Sequence, residues 1–252
     1  MLNVIRHDGP EGPLPLLIAH GLYGSGRNWG VIAKRLSSDR RVIAVDMRNH
    51  GASPWSASHT YPDMAEDLAE VIRAEGGPMA VLGHSMGGKA AMMLALLHPD
   101  LVKRLVVADI APVAYDHEQR QYIQAMQAVD LSRVEKRSDA EAQLAATVDD
   151  PTLPAFFTQS LDLKDRKWRL NLDVLDDQMP HILGFPTPEG RFDAPALFLT
   201  GGLSHYVRPE HRETIKSLFP AARFAKLPGA GHWLHAEKPR EFEAAVRAWL
   251  LG

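Results

Sequence analysis

VLGHSMGG, residues 81–88, sets one hydroxyl between two glycine steps directly after a short apolar run. Three local readings compete: an ordinary strand-to-helix turn, a phosphate-binding loop, and a sharp turn that exposes a nucleophile. The phosphate loop fails, because Lys89 follows Gly-Gly without the Walker spacing and without a Ser or Thr behind it. A dinucleotide fingerprint fails as well, since HGLYGSG (20–26) is not GxGxxG and would leave Ser85 without a role. What remains is the Gly-x-Ser-x-Gly pattern, with Gly83, Ser85 and Gly87 in register. Such a turn crowds the positions two before and two after the nucleophile, and glycine removes the clash.

The flanking chain supplies the context that this turn needs. LPLLIAH (14–20), RVIAVD (41–46), MAVLGH (79–84) and KRLVVAD (103–109) are continuous apolar runs, as expected of parallel strands buried on both faces. Amphipathic stretches alternate with them. NWGVIAKRL sets Trp29, Ile32 and Leu36 on one face, and 61–74 sets Met64, Leu68 and Val71 on another, with Thr60 as a cap. KAAMMLALLHP continues from the glycine turn and stops at Pro99. The rhythm breaks over 116–192, where helical patterns occur without a convincing strand. Ser138 with Glu141 reads as a capping box there. Strand signals return in PALFLTGG (195–202) and AARFAKLPG (221–229), and Phe242, Val246 and Trp249 give a last helix its buried face. The expected architecture is a doubly wound α/β core over 1–115 and 193–252, interrupted by a helical cap (lid) insertion over 116–192.

The chain has 252 residues, enough for one large domain with an insertion. A formal charge of −3 argues against a nucleic-acid surface. With no cysteine, disulfides, a thiol nucleophile and thiolate metal sites are excluded. The N-terminal stretch lacks the long apolar core of a signal peptide, and no run approaches the roughly 18 apolar residues of a membrane span. A cytoplasmic protein is the default expectation. The twelve histidines show no HExxH or similar spacing, so no metal and no cofactor is expected.

A serine hydroxyl is a weak nucleophile at neutral pH and needs a base, with a carboxylate to orient that base. His232, in the glycine-rich PGAGHWLHAEKP (228–239), follows the final strand signal and precedes the last helix, which makes it the candidate base. His235 is its rival in the same loop.

These segments resemble the α/β-hydrolase superfamily and, within it, an esterase subgroup that includes the human abhydrolase domain-containing 11 protein and bacterial relatives. The resemblance rests on HGLYGS (20–25), DMRNHGAS (46–53), GHSMGGK (83–89), DIAPVAY (109–115), GGLSHYV (201–207) and GHWLHAEKP (231–239), and it covers nearly the whole chain. It implies a mostly parallel sheet, trimmed at its N-terminal side to one strand before LPLLIAH. It also helps with the acid. Many members carry it after the strand matching PALFLTGG, where this chain has Ser204; the other known position is Asp109, at the end of the preceding strand. Asp109 is the expected acid, and Asp46 is a rival that more naturally ties down the RNHG turn. The backbone N–H groups of Met86 and Leu22 are the expected oxyanion donors, and His20 is expected to hold the loop. From the insertion and the family segments, Tyr115, Met126, Phe156, Phe157, Trp168, Leu172 and Tyr206 are pocket candidates, although packing into the core is the competing role for most.

The expected activity is that of a serine carboxylesterase acting on short to medium acyl esters through an acyl-enzyme. An acyl-CoA thioesterase and a cofactor-free perhydrolase (haloperoxidase) side activity use the same machinery. The non-enzyme alternative is a ligand-binding scaffold. The partner is a small-molecule ester or thioester, with no nucleic acid.

Overall fold

In the computed structural model, residues 1–116, 119–186 and 188–251 are described. The insertion expected over 116–192 includes three positions that lie outside the described residues.

The strands are β1 (Val4–His7), β2 (Leu16–Ala19), β3 (Val42–Val45), β4 (Met79–His84), β5 (Val102–Ala108), the short β6 (Leu161–Asp162) and β7 (Lys167–Trp168), then β8 (Ala196–Gly201) and β9 (Ala222–Leu227). The helices are α1 (Gly30–Leu36), α2 (Tyr61–Ala74), α3 (Met86–Leu97), α4 (Arg120–Gln127), α5 (Arg137–Leu144), α6 (Leu153–Phe157), α7 (Leu172–Asp177), α8 (Met179–Leu183), α9 (His211–Leu218), α10 (Leu234–Glu237) and α11 (Pro239–Leu251). Seven strands form one sheet in the order β1-β3-β2-β4-β5-β8-β9. β1 pairs antiparallel with β3, and the other neighbours are parallel.

Every residue of β2, β3, β4 and β8 is buried, which is why these strands read as unbroken apolar runs. Alternate side chains serve opposite cores. In β4, Met79 and Val81 pack with α2 and α3, whereas Ala80 and Leu82 pack with α1 and α11. Trp29, Ile32, Leu36, Phe242 and Val246 share that second core, as their spacing predicts, and Trp249 packs against it half-buried. Thr60 Oγ1 accepts from the Asp63 N–H and caps α2.

The stretch from α4 to α8 is bonded to the segments that follow β2 and β3 and to the start of α2. Ser160 Oγ donates to the Tyr23 carbonyl at 3.1 Å, the Gly51 N–H to Arg169 O at 2.8 Å, and Tyr61 Oη to Ile182 O at 2.5 Å. Two details depart from the sequence reading. First, β6 and β7 form a small antiparallel hairpin where no strand is expected. Asp162 Oδ1 closes its turn by accepting the N–H groups of Lys164 and Asp165, and strands of two residues are too short for any periodicity to show. Second, Ser138 and Glu141 do not form a capping box. Ser138 lies inside α5, Asp139 accepts the N–H groups of Glu135 and Lys136, and Glu141 accepts from Thr158 Oγ1. Among the described residues no helix is long and apolar enough to cross a membrane.

Buried imidazoles knit the loops at the carboxyl edge of the sheet. His20 meets His50 edge-on at 5.1 Å between ring centroids, and His50 lies 5.5 Å from His59. Burial lowers the pKa of His50, His59, His84 and His235, to about 3 for His59 and His235. Each is therefore neutral when folded, while the unfolded chain takes up protons near the ordinary value of 6.5. Because the unfolded state binds more protons in acid, stability should be full above pH 6.5 and fall as the pH drops towards about 3. The slope should be about 1.4 kcal/mol per pH unit for each such histidine. Urea midpoints measured across this range should show the decline, and His59→Gln should lessen the slope by one proton. An unchanged slope in that variant would mean that His59 does not titrate this way.

Candidate active site

Ser85 sits between the end of β4 and the start of α3 with φ 52° and ψ −121°, outside the region an ordinary side chain prefers. A Cβ on Gly83 would lie 2.1 Å from the Gly87 carbonyl oxygen, and one on Gly87 would lie 2.4 Å from Ala19 O. Only glycine tolerates that approach, which gives the opening motif its spacing. The Ser85 N–H donates to Ala108 O at 3.1 Å, so the neighbouring strand β5 anchors the turn.

Asp109 follows β5 directly, also at positive φ (53°), and its N–H donates to Leu199 O at 2.9 Å on β8. Its side chain is fully buried. Oδ1 accepts the Gly201 N–H at 2.9 Å. Oδ2 accepts Nδ1–H of His232 at 2.8 Å and the hydroxyl of Ser204. With Nδ1 as donor, Nε2 of His232 is left as the acceptor, and it stands 3.1 Å from Ser85 Oγ. The structure thus brings Ser85, His232 and Asp109 into one continuous line. Ser204 stands beside the carboxylate as a neutral donor, not in its place.

The His232 loop is held from several sides. The Glu237 carboxylate accepts the N–H of Gly231 at 2.7 Å and of Trp233 at 3.2 Å, bracketing the histidine. His84 Nε2 donates to the His232 carbonyl at 2.9 Å. The Tyr206 ring stacks on the imidazole at 3.8 Å and 14°. None of these three contacts is read from the sequence.

The rival residues are employed elsewhere. Asp46 accepts from Asn3 Nδ2 and from the N–H groups of Gly26 and Ala52, each at 2.8 Å, and so secures the 46–53 turn. His235 stacks on Trp29 at 4.2 Å in the core below. His20 holds its loop by donating from Nδ1 to Gly21 O at 2.7 Å and accepting the Met47 N–H at 2.9 Å.

A cavity of about 200 Å3 opens over Ser85. Leu22, Met86, Tyr115 and Tyr206 line it, as does Phe157. Four other candidates do not. Met126 is fully buried in the core, Trp168 donates its indole N–H to Met126 O at 2.9 Å, and Phe156 packs on the outer side of Trp233 at 4.7 Å. Leu172 is likewise core. The short insertion helices must pack on something, and these side chains supply that contact. Tyr122, Leu153, Phe157, Ile182 and Leu183 are among the insertion residues that do line it.

Comparison with known proteins agrees with this geometry. The family model described as alpha/beta hydrolase fold matches residues 15–239. The chain is 40% identical over 252 residues to the sn-1-specific diacylglycerol lipase ABHD11 of Mus musculus, covering 95% of this chain and 82% of that protein. It is 42% identical over 239 residues to Esterase YbfF of Escherichia coli (strain K12), covering 94% of this chain and 92% of that protein. Among solved structures, a marine microorganism esterase superposes with a TM-score of 0.92 at 38% identity, covering 99% of this chain and all of that one.

The hydrogen-bond line generates a spectroscopic prediction. The proton shared by His232 Nδ1 and Asp109 should resonate far downfield in the proton NMR spectrum. It should vanish in Asp109→Asn and persist, shifted, in Ser204→Ala. A downfield signal that survives in the asparagine variant would mean that another acceptor holds the imidazole.

Proposed function

The chain belongs to the α/β-hydrolase family, and from that membership we propose that Ser85, His232 and Asp109 hydrolyse carboxylic esters through a covalent acyl-enzyme. The chain is a carboxylic ester hydrolase of the serine type, in keeping with relatives named esterase and lipase. The single observation that carries the residue assignment is the line from Ser85 Oγ through His232 to the buried Asp109 carboxylate.

In this reading Nε2 of His232 takes the Ser85 proton as Oγ attacks the ester carbonyl. Asp109 keeps the imidazole in the competent tautomer and stabilises the imidazolium that forms. The developing oxyanion lies against the N–H groups of Met86 and Leu22. Met86 is the first residue of α3, whose opening N–H groups have no acceptor within the helix and face a growing negative charge favourably. The imidazolium then returns its proton to the leaving alkoxide, and the alcohol departs. A water, deprotonated by Nε2, attacks the acyl-enzyme, and the acid leaves as Ser85 recovers its proton.

Residues 116–192 serve as the cap over this chemistry. Its contacts with Tyr23, Gly51 and Tyr61 support that role, as does its share of the cavity wall. A wall of Leu153, Phe157 and Ile182 around about 200 Å3 suits acyl chains of short to medium length. A second reading, thioester cleavage from acyl-CoA, is favoured by one observation. Arg208, Arg212 and Lys226 line a separate cavity of about 120 Å3, which begins one residue beyond Tyr206 and suits a phosphate-bearing leaving group.

A fluorophosphonate probe should modify Ser85 alone, and Ser85→Ala should abolish both labelling and turnover. By analogy with serine proteases, Asp109→Asn should lower kcat/KM by on the order of 10⁴. Ser204→Ala should cost about tenfold, since it removes one neutral donor from the carboxylate. Adduct formation on another residue, or near-normal kcat/KM for Asp109→Asn, would refute these assignments. Esters of rising acyl length, run beside matched acyl-CoAs, will separate the two leaving-group classes.

A further inference from the structure

Lys89 has no role in the mechanism above, yet it lines the same cavity. It lies on α3 one turn beyond Ser85, with its N–H donating to Ser85 O at 3.0 Å. The residue is 1% exposed. Nζ donates to the carbonyls of Leu183 at 2.9 Å and Gly184 at 2.7 Å, at the end of α8. It also stands 4.8 Å from the centre of the Tyr115 ring and 5.5 Å from that of Tyr61.

Those partners satisfy the geometry of the amine but not its charge. They are neutral oxygens and ring faces, and among the described residues no carboxylate pairs with it. Burial alone acts on its ammonium, pushing its pKa down to about 7. A buried cation without an anion is costly, and buried charges are ordinarily paired. Capping α8 requires a donor, which a neutral side chain could also supply; it does not require a full charge. The acyl chain delivered to Ser85 occupies this cavity, so the missing anion can arrive with the substrate.

We propose that Lys89 is a specificity-determining residue that receives a carboxylate at the far end of the acyl chain, so that the site favours half-esters of dicarboxylic acids. This rests on the ester-hydrolase reading. No bond at Lys89 is made or broken; its ammonium donates a charge-assisted hydrogen bond to the substrate carboxylate. The groups facing Lys89 leave it the cation for this task. From α2, Tyr61 has its pKa raised by burial, as does Tyr115 from the segment after β5, so both are neutral phenols. Tyr122, Tyr206 and His232 line other parts of the cavity. Asp150, also on the lining, is exposed, and its Oδ1 is occupied by the Thr152 N–H and hydroxyl.

The test compares monoethyl glutarate and monoethyl adipate with ethyl pentanoate and ethyl hexanoate, which have equal chain lengths but no charge. In the wild-type protein the ratio of kcat/KM, anionic over neutral, should exceed one. It should fall about tenfold or more in both Lys89→Met and Lys89→Gln, with competent sites counted by fluorophosphonate titration. Because only the protonated amine recognises the anion, the wild-type ratio should also decline as the pH rises through about 7. In Lys89→Met it should be flat with pH. A purely structural latch on α8 would slow both esters alike and leave the ratio unchanged. A wild-type preference for the neutral ester, a ratio that ignores pH, or an unchanged ratio in the variants would each overturn the proposal. The wild-type measurements decide even if the variants fail to fold. Failure to turn over any of the four esters would count against the ester-hydrolase reading itself.

Discussion

The site depends on a strained backbone at the carboxyl end of β4. Ser85 is held at φ 52°, where a residue with a side chain costs of order 1–3 kcal/mol. Such a conformation persists only if its surroundings over-determine it. Here β5 receives its N–H, α3 begins at the next residue, and Gly83 and Gly87 let the strand, the turn and β2 approach within backbone contact. Movement of any one of these would relax the turn and withdraw the hydroxyl. Asp109 repeats the arrangement one strand over, with its own positive φ and its N–H bonded to β8. Two adjacent strand ends thus carry the Ser85 hydroxyl and the Asp109 carboxylate on one rigid edge, which suits groups that must be preorganised.

His232 reaches that edge from much farther along the chain, and its loop needs separate restraint. Gly201 explains how the loop comes so close: a Cβ there would lie 2.1 Å from Gly231 O, so β8 and the histidine loop are packed backbone to backbone. Glu237 then fixes the N–H groups on either side of His232, while Tyr206 covers the ring. The imidazole has little rotational choice left before substrate arrives. Ser204 fits the same logic. It stands where a carboxylate would be the alternative partner, but its hydroxyl donates to Asp109 and helps hold the acid in a buried site. The carboxylate accepts from Gly201, Ser204 and His232, and that set of donors offsets its removal from water.

Much of this was legible in the sequence because the controlling demands are local. A nucleophile turn needs glycine at two fixed offsets, and a strand buried on both faces needs an unbroken apolar run; Gly83, Gly87 and MAVLGH show both. Asp109 was reached through the family resemblance, which offers the end of this strand as one position for the acid, and the apolar run that it ends lies beside β4. The pocket was not. Insertion helices of five to eight residues show too few turns to separate an inward face from an outward one, so Met126 and Phe156 could not be told from Leu153 and Ile182 by pattern, and Trp168 lies on a strand of only two residues. The clasp by Glu237 was equally hidden, since it depends on where a turn places two N–H groups and not on any residue pairing along the chain.

The inner wall of the cavity is set in yet another way. Three consecutive carbonyls, at 182, 183 and 184, are gripped by core elements: Ile182 O by Tyr61 Oη, Leu183 O by the Tyr115 N–H and Lys89 Nζ, and Gly184 O by Lys89 Nζ. Because the grip is on backbone acceptors, the wall's position does not depend on which side chains α8 turns towards the acyl group. Ile182 and Leu183 can therefore vary in size without detaching the helix, whereas the donors beneath them cannot be lost so freely. Helix α3 begins directly after Ser85 and carries this anchor one turn later, so the distance between the Ser85 hydroxyl and the far wall is built into a single rigid rod.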